Sequence, residues 1–227
     1  MAHPAVAAAQ AEPRKRPSQA RSIAAVAAMV EAAARIIETR GWAALTTNHV
    51  AERAGFSIGS LYQYFPSKEA LLAELLRRER AQLLHDVRQA TAPEADLALA
   101  IEQCVVAGLR HQFGRPALAL ALEYVPASLA MHQEDDGLRL ALCHQLSSVL
   151  ARHGVADSAT AAADMVAQCR GMIDAAARRG ETDTAALLPR LLRATWPRGG
   201  PADFTMLKSP TCQAWPHSRV DPGQTES

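Results

Sequence analysis

Aromatic side chains are scarce in this chain, at 4% of its 227 residues. Alanine and leucine dominate instead, which favours helices and argues against a large sheet. The cysteines are few as well: Cys104, Cys143, Cys169 and Cys212, with no pair at metal-ligand spacing. Three of them fall where a helical pattern buries them, so they read as reduced core thiols of a cytosolic protein. The eight histidines also miss metal spacing, and no metal site is expected. No apolar run approaches the ~20 residues of a membrane span. The N-terminus places an Ala/Val stretch before its charges, the reverse of a secretory signal. A cytoplasmic protein without membrane contact is therefore expected. There is no P-loop, dinucleotide fingerprint or G-x-S-x-G elbow. His144 beside Cys143 suggests a base and a nucleophile, but neighbours on a helix point in different directions. No catalytic residue and no cofactor are expected. Net charge is only +1, yet it is unevenly spread. Through Arg80 there are 11 Lys/Arg and 7 Asp/Glu, and after it 13 and 16. A basic head on an acidic body suits DNA binding at one end. The length allows one to two domains with a real core.

What the chain does have is a dense stretch from Leu45 to Leu72, LTTNHVAERAGFSIGSLYQYFPSKEALL. It reads as a helix-turn-helix, a device that places a helix in the major groove of DNA. Thr47 is placed to cap the first helix, its hydroxyl accepting a free N–H of the opening turn. Val50, Ala51 and Ala54 share an apolar face, while Asn48, Glu52 and Arg53 point to water. Gly55 supplies a left-handed turn, Phe56 packs under it, and Ser57 caps a second helix from Ile58. Leu61 and Phe65, four apart, anchor that helix. Gly59 inside it costs roughly 1 kcal/mol against alanine. Close approach of its backbone to a phosphate or base edge is the expected justification.

The remaining side chains of the second helix form a recognition surface by composition. Ser60, Tyr62, Gln63 and Tyr64 offer hydroxyls for phosphates, ring faces for thymine methyls and an amide that pairs with adenine. Gln63 is the candidate for direct base readout. Tyr62 and Tyr64 could instead be core aromatics, and Tyr64 reads as part buried and part phosphate contact. Ile58 either touches a thymine methyl or only packs. Pro66 stops the helix and Ser67 caps the next. Lys68 sits where a cation opposes the helix dipole, a placement that a phosphate contact explains. The expected DNA-binding set is Thr47, Ser57, Ile58, Gly59, Ser60, Tyr62, Gln63, Tyr64 and Lys68.

With a helix over Ile23–Arg40 and Gly41 before it, this stretch resembles the DNA-binding domain of the TetR family of bacterial transcriptional regulators. The matching pieces are the Thr46-Thr47 entry, the Ala54-Gly55 turn, Gly59 with Leu61-Tyr62, Tyr64-Phe65, Ser67-Lys68-Glu69 and Leu72, in order at the family's spacing. They cover about residues 20 to 75. The rest of the chain fits the family only by helical pattern and length. The resemblance implies an all-α protein, with an N-terminal three-helix helix-turn-helix domain and a C-terminal helical ligand-binding and dimerisation domain. It further implies a homodimer through the last two helices, an inverted-repeat operator in double-stranded DNA, and a small-molecule effector. The effector shifts the connecting helix and releases DNA from what is expected to be a repressor.

Taken in order, residues 1–20 read as a disordered basic arm with Arg14, Lys15 and Arg16, which reaches the DNA or merely frays. Residues 21–66 form the head. Its first helix, about Ser22 to Arg40, has the stripe Val26, Val30, Ala33, Ile36 and Ile37, and Trp42 and Leu45 staple the turn that follows. Residues 67–197 form the body. A long helix from Ser67 to Ala90 buries Leu71, Leu72, Leu75, Leu76, Leu83 and Leu84, and leaves Glu74, Arg77, Arg78 and Arg80 solvated. Thr91 and Glu94 read as a capping box for a helix to Phe113, broken by Gly114 and Pro116. The next helix ends or kinks near Tyr124, before Pro126. His132 to Gly137 reads as an acidic loop. Helices follow over Leu138–His153, Ser158–Arg179 and Thr182–Trp196, and residues 198–227 are a flexible tail. The last two helices should be antiparallel neighbours. Small residues Ala161, Ala162, Ala163 and Ala176 would admit a second subunit, unless their stripe faces the subunit's own core. A recognition helix this short reads only a few base pairs, so specificity calls for two half-sites.

Candidate ligand-pocket residues are Cys104, His111, Phe113, Tyr124, His144 and Met172, each of which reads more readily as core. With few aromatics and an aliphatic lining, an apolar effector is expected. Readings from other classes remain: a helical enzyme or small-molecule carrier without DNA affinity, an activator of the same family, or a nucleoid-type binder without sequence preference.

Overall fold

The computed structural model describes residues 20–123 and 131–195, and every regular element among them is helical. The basic arm, Tyr124, the break at Pro126, Cys212 and the tail lie outside the described residues. Helix α1 spans Ala20–Arg40. After a 3-10 turn at Trp42–Ala44 come α2, Thr47–Ala54, and α3, Ile58–Tyr64. The long α4 covers Lys68–Ala90, followed by α5, Leu97–Phe113, and α6, Pro116–Glu123. Then come α7, His132–Arg152, α8, Ser158–Arg178, and α9, Thr184–Thr195.

Local chemistry explains most of these boundaries. Ser57 and Ser67 cap α3 and α4, their hydroxyls accepting from Ser60 N and Ala70 N, which satisfies one orphan amide of each first turn. Gly55 ends α2 at φ 75°, a left-handed conformation that a side chain would strain. Three expectations shift. The cap of α2 is Thr46, which accepts from His49 N, not Thr47. Thr91 does not open α5. It closes α4, its hydroxyl donating to Val87 O at 2.9 Å, and Asp96 caps α5 through Ala98 N and Leu99 N. The acidic run from His132 is not a loop but the start of α7.

That last change reassigns two arginines. Glu134 and Asp135 lie in the first turn of α7, where the helix dipole favours negative charge. Arg77 of α4 grips Glu134 from two nitrogens, at 3.1 and 2.9 Å, and Arg80 pairs with Asp135. The face expected to be solvated is thus a seam between α4 and α7.

Burial falls into two clusters. The first joins α1, α2, α3 and the N-terminal half of α4, with Met29, Leu61 and Phe65 at 0% exposure. It also takes in Leu118 of α6 and Met131. The second joins α5, α7, α8 and α9 around Ile101, Val149, Leu150, Ala176 and Leu191. Gly108 allows α5 to lie close on α8, since a Cβ there would meet Ile173 Cδ1 at 3.1 Å. Helix α9 packs on both α5 and α8.

Candidate nucleic-acid interface and ligand cavity

Helix α3 is held from one side and bare on the other. Leu61 and Phe65 are fully buried, and Tyr64 is partly buried against the same core. On the outer side Gly59 and Gln63 are exposed, with Ile58 at 37% and Tyr62 at 42%. Thr47, released from capping, places its hydroxyl 3.2 Å from Tyr62 Oη and so ties the start of α2 to the recognition face. The hydroxyls of Ser57 and Ser60 lie 2.8 Å apart and share one hydrogen bond. Lys68 is exposed at the first position of α4. The structure therefore gathers Thr47, Ser57 to Ser60, Tyr62 and Gln63 around one helix face, with Tyr64 turned partly inward. Phe56, expected under the turn, is 36% exposed, because Val50, Ala51 and Leu61 already make the core there.

Gly59 has no packing reason inside the chain. A Cβ built there meets only Ser57 Oγ, at 3.8 Å, an ordinary contact. Alanine would fit, and would favour the helix by about 1 kcal/mol.

Residues 29–75 match the family described as bacterial regulatory proteins, tetR family. The head of the chain matches the TetR family's DNA-binding domain. Among curated relatives of the chain is the nucleoid occlusion factor SlmA of Haemophilus ducreyi. It is 28% identical over 141 residues, 58% of this chain and 70% of that protein. The HTH-type transcriptional repressor KstR2 of Rhodococcus jostii is 34% identical over 77 residues, 34% of this chain and only 38% of its own length. In fold, the structure of the transcriptional regulator FadR from Bacillus subtilis in complex with stearoyl-CoA superposes with a TM-score of 0.62. That match is 18% identical and covers 74% of this chain and 96% of that one. The family is one of regulators, not enzymes, which agrees with the lack of catalytic motifs. No helix among the described residues is long and apolar enough to cross a membrane.

The body of the protein holds a cavity of about 1020 Å³, bounded by α4, α5, α6, α7 and α8. That is at the upper end of the ordinary range for ligand pockets, about 300–1,000 Å³. Of the residues expected to line it, Cys104 and His111 do. Phe113 and Met172 do not; they pack partly buried against the second core. His144 is exposed on α7, away from the cavity wall. Helical spacing put these three on the right helices but could not say which side of each helix meets a void. The wall also carries Cys143 and Cys169, so every cysteine among the described residues borders this space. Burial pushes the Cys104 thiol up to about 12 and Cys169 to about 11, so both are protonated and poorly nucleophilic. Burial, with the charge of Arg80 next, holds the His111 imidazole below its ordinary 6.5.

Charged residues of the wall were missed from sequence, among them Glu79, Arg80 and Arg115. A signal was available, since Glu79 and Arg80 interrupt the leucine stripe of α4. Arg115, just before α6, donates from Nε to Glu38 Oε1 at 2.6 Å and from Nη2 to Glu38 Oε2 at 3.0 Å. It also donates to Glu31 at 3.2 Å and lies 3.9 Å from Glu79. Arg115 thereby clamps α1 of the head to the cavity wall. The hydrogen bond from Arg115 holds the Glu38 carboxyl below its usual range, while burial raises that of Glu79.

Proposed function

We propose that this protein is a dimeric repressor that reads an inverted-repeat operator with α3 and is released by a small, mainly apolar effector in the body cavity. One observation carries the DNA reading. Helix α3 is fixed by two fully buried side chains and turns Gly59, Tyr62 and Gln63 outward. A rigid helix with an amide, a tyrosine hydroxyl and an unshielded backbone on one face fits a major groove. Thr47, Ser57, Ser60, Tyr64 and Lys68 lie at its margins and serve phosphates, and Ile58 meets a thymine methyl. Salt should weaken binding steeply, because phosphate contacts displace counterions.

Pairing of two subunits through α8 and α9 rests on the resemblance to the family. Ala162 and Ala176, offered above as contact residues, are fully buried in their own subunit. Ala163, Ala167 and Gly171 stay exposed, four apart and so on one face, but that face borders the cavity. Effector control is supported by the cavity and by Arg115, which joins its wall to α1. The FadR structure with stearoyl-CoA gives a precedent for a ligand in this fold. Action in the cytoplasm follows from this reading.

Selection of bound duplexes from a random pool, at about physiological salt, tests it. A shared inverted repeat is the expected result. Recovery of DNA with no common sequence would favour a binder without sequence preference, a reading given weight by the likeness to a nucleoid occlusion factor. No recovery before or after unfolding and refolding, which strips bound effector, would reopen the carrier or enzyme reading.

A further inference from the structure

Most polar groups of the cavity wall are engaged with one another. Its arginines each have a carboxylate partner: Arg80 pairs with Asp135, Arg115 with Glu38 and Glu79, Arg139 with Asp136, and Arg170 with Asp174. Gln112 donates to Glu123 at 3.1 Å, and the Thr195 hydroxyl donates to Leu191 O at 2.9 Å. Asp164 stands exposed on α8 and is solvated. His111 of α5 differs from all of these. It is half-buried on the wall, and its ring nitrogens have no hydrogen-bond partner among the described residues. They remain within reach of solvent, unlike Arg80 Nη1 and Glu102 Oε2, which are unpartnered but fully enclosed. Burial and the nearby Arg80 keep the ring neutral, so it presents one donor and one acceptor. Cys104 and Gly108 precede it along the same face of α5, and Leu83, Leu142 and Ile173 make the wall around it aliphatic.

We propose that the cavity takes an uncharged amphiphile, its hydroxyl hydrogen-bonded to the His111 ring and its hydrocarbon body lying among the aliphatic side chains of α4, α5, α7 and α8. This rests on the cavity being the effector site, and narrows its occupant from mainly apolar to apolar with one neutral polar end. A hydroxyl both donates and accepts, so it is met by whichever ring nitrogen faces the space. A charged end is disfavoured, because the arginines are already paired and its charge would lie against an aliphatic wall without a counterion. His111 then sets specificity. Any occupant that enters strips its nitrogens of water, and only a polar one replaces the lost hydrogen bond.

Equilibrium titration of the full chain with 1-octanol, 1-chlorooctane, octanoate and octylamine tests the seat, on the parent, His111→Leu and His111→Gln. The alcohol and the chloroalkane match in length and differ in the hydrogen bond. His111→Leu should weaken octanol relative to chlorooctane about three- to tenfold. His111→Gln keeps a donor and an acceptor, and should hold that ratio within about twofold of the parent. Octanoate and octylamine should bind the parent more weakly than octanol. Saturating octanol should also shift the ring-nitrogen NMR resonances of His111 in the parent, a readout that needs no variant to fold. Tighter binding of octanoate or octylamine than of octanol would overturn the uncharged class. A ratio unmoved by His111→Leu, with unshifted ring resonances, would leave the cavity as a binding site and overturn the hydroxyl seat. No binding by any probe would overturn the cavity reading and the proposal together.

Discussion

Of the ten aromatic residues in the chain, five lie between Trp42 and Phe65, whereas helices α4 to α9 together carry one, Phe113. The head's core closes around one of these, Phe65 at 0% exposure, with Trp42 and Tyr64 packed partly buried against it, while Phe56 and Tyr62 face outward. The body is closed by alanines and leucines around a void of about 1020 Å³. A buried aromatic side chain removes about 150–250 Å² from water and packs tightly on its neighbours, so the head core around Phe65 is filled. Aliphatic helices around a void can repack at lower cost. The head is thus built to hold a shape, and the body to change one.

The largest test of that difference is a pair of core substitutions followed by denaturant unfolding. Phe65→Ala should destabilise by about 3–5 kcal/mol. Leu142→Phe, which adds bulk to the cavity wall, should stay within about 1 kcal/mol of the parent, because free volume receives the ring. Equal losses would mean that the two cores do not differ in kind. Next come the DNA contacts, measured by fluorescence anisotropy on a selected operator. Gln63→Ala should cost about 1–3 kcal/mol and relax preference at one base position. Tyr62→Ala and Lys68→Ala should weaken every sequence alike, Lys68→Ala lowering the salt slope by about one. Gly59→Ala should raise the stability of the free protein by about 0.5–1 kcal/mol while weakening DNA binding; a loss of stability would show that the glycine serves the fold after all.

The smallest effect concerns pH and belongs to the body. His111 titrates below 6.5 in the folded chain, so its neutral form is the folded one. Its contribution is complete above pH 6.5 and falls as the unfolded chain takes up a proton below it. His111→Gln should flatten the stability profile between pH 6.5 and the lowered folded value. Glu38 acts in a lower window. Its carboxyl is depressed by Arg115, so its contribution is present above the ordinary value of 4.5 and fades as pH drops through the folded value; Arg115→Gln should remove that acid dependence.

What could be read from sequence was local. Gly55, Ser57 and Ser67 stand where their cap chemistry put them, since a cap needs only three or four neighbouring residues. The adjacent Thr46 and Thr47 are equivalent by that logic, and only the distant Tyr62 hydroxyl distinguishes them. Thr91 was misread because its pattern is satisfied twice, forward to Glu94 or back to Val87, and the structure takes the backward bond. The run from His132 looked like a loop because its acids lacked visible partners. Those partners, Arg77 and Arg80, lie on another helix, Arg77 57 residues from Glu134. The Arg115 clamp reaches Glu38 and Glu31 across 77 and 84 residues. No periodicity reports a contact of that range, and none reports a void.

Leu118 and Met131 belong to the same buried cluster as Met29 and Phe65. During synthesis the N-terminal helices leave the ribosome first, but their core is incomplete until these later residues follow. At roughly 5–20 residues per second, the stretch from Phe65 to Met131 adds seconds in which Leu71, Leu72 and Leu75 lack part of their cover. The nascent head should therefore be the segment most in need of chaperone shielding, and one that stays unfinished when translation stalls before Met131.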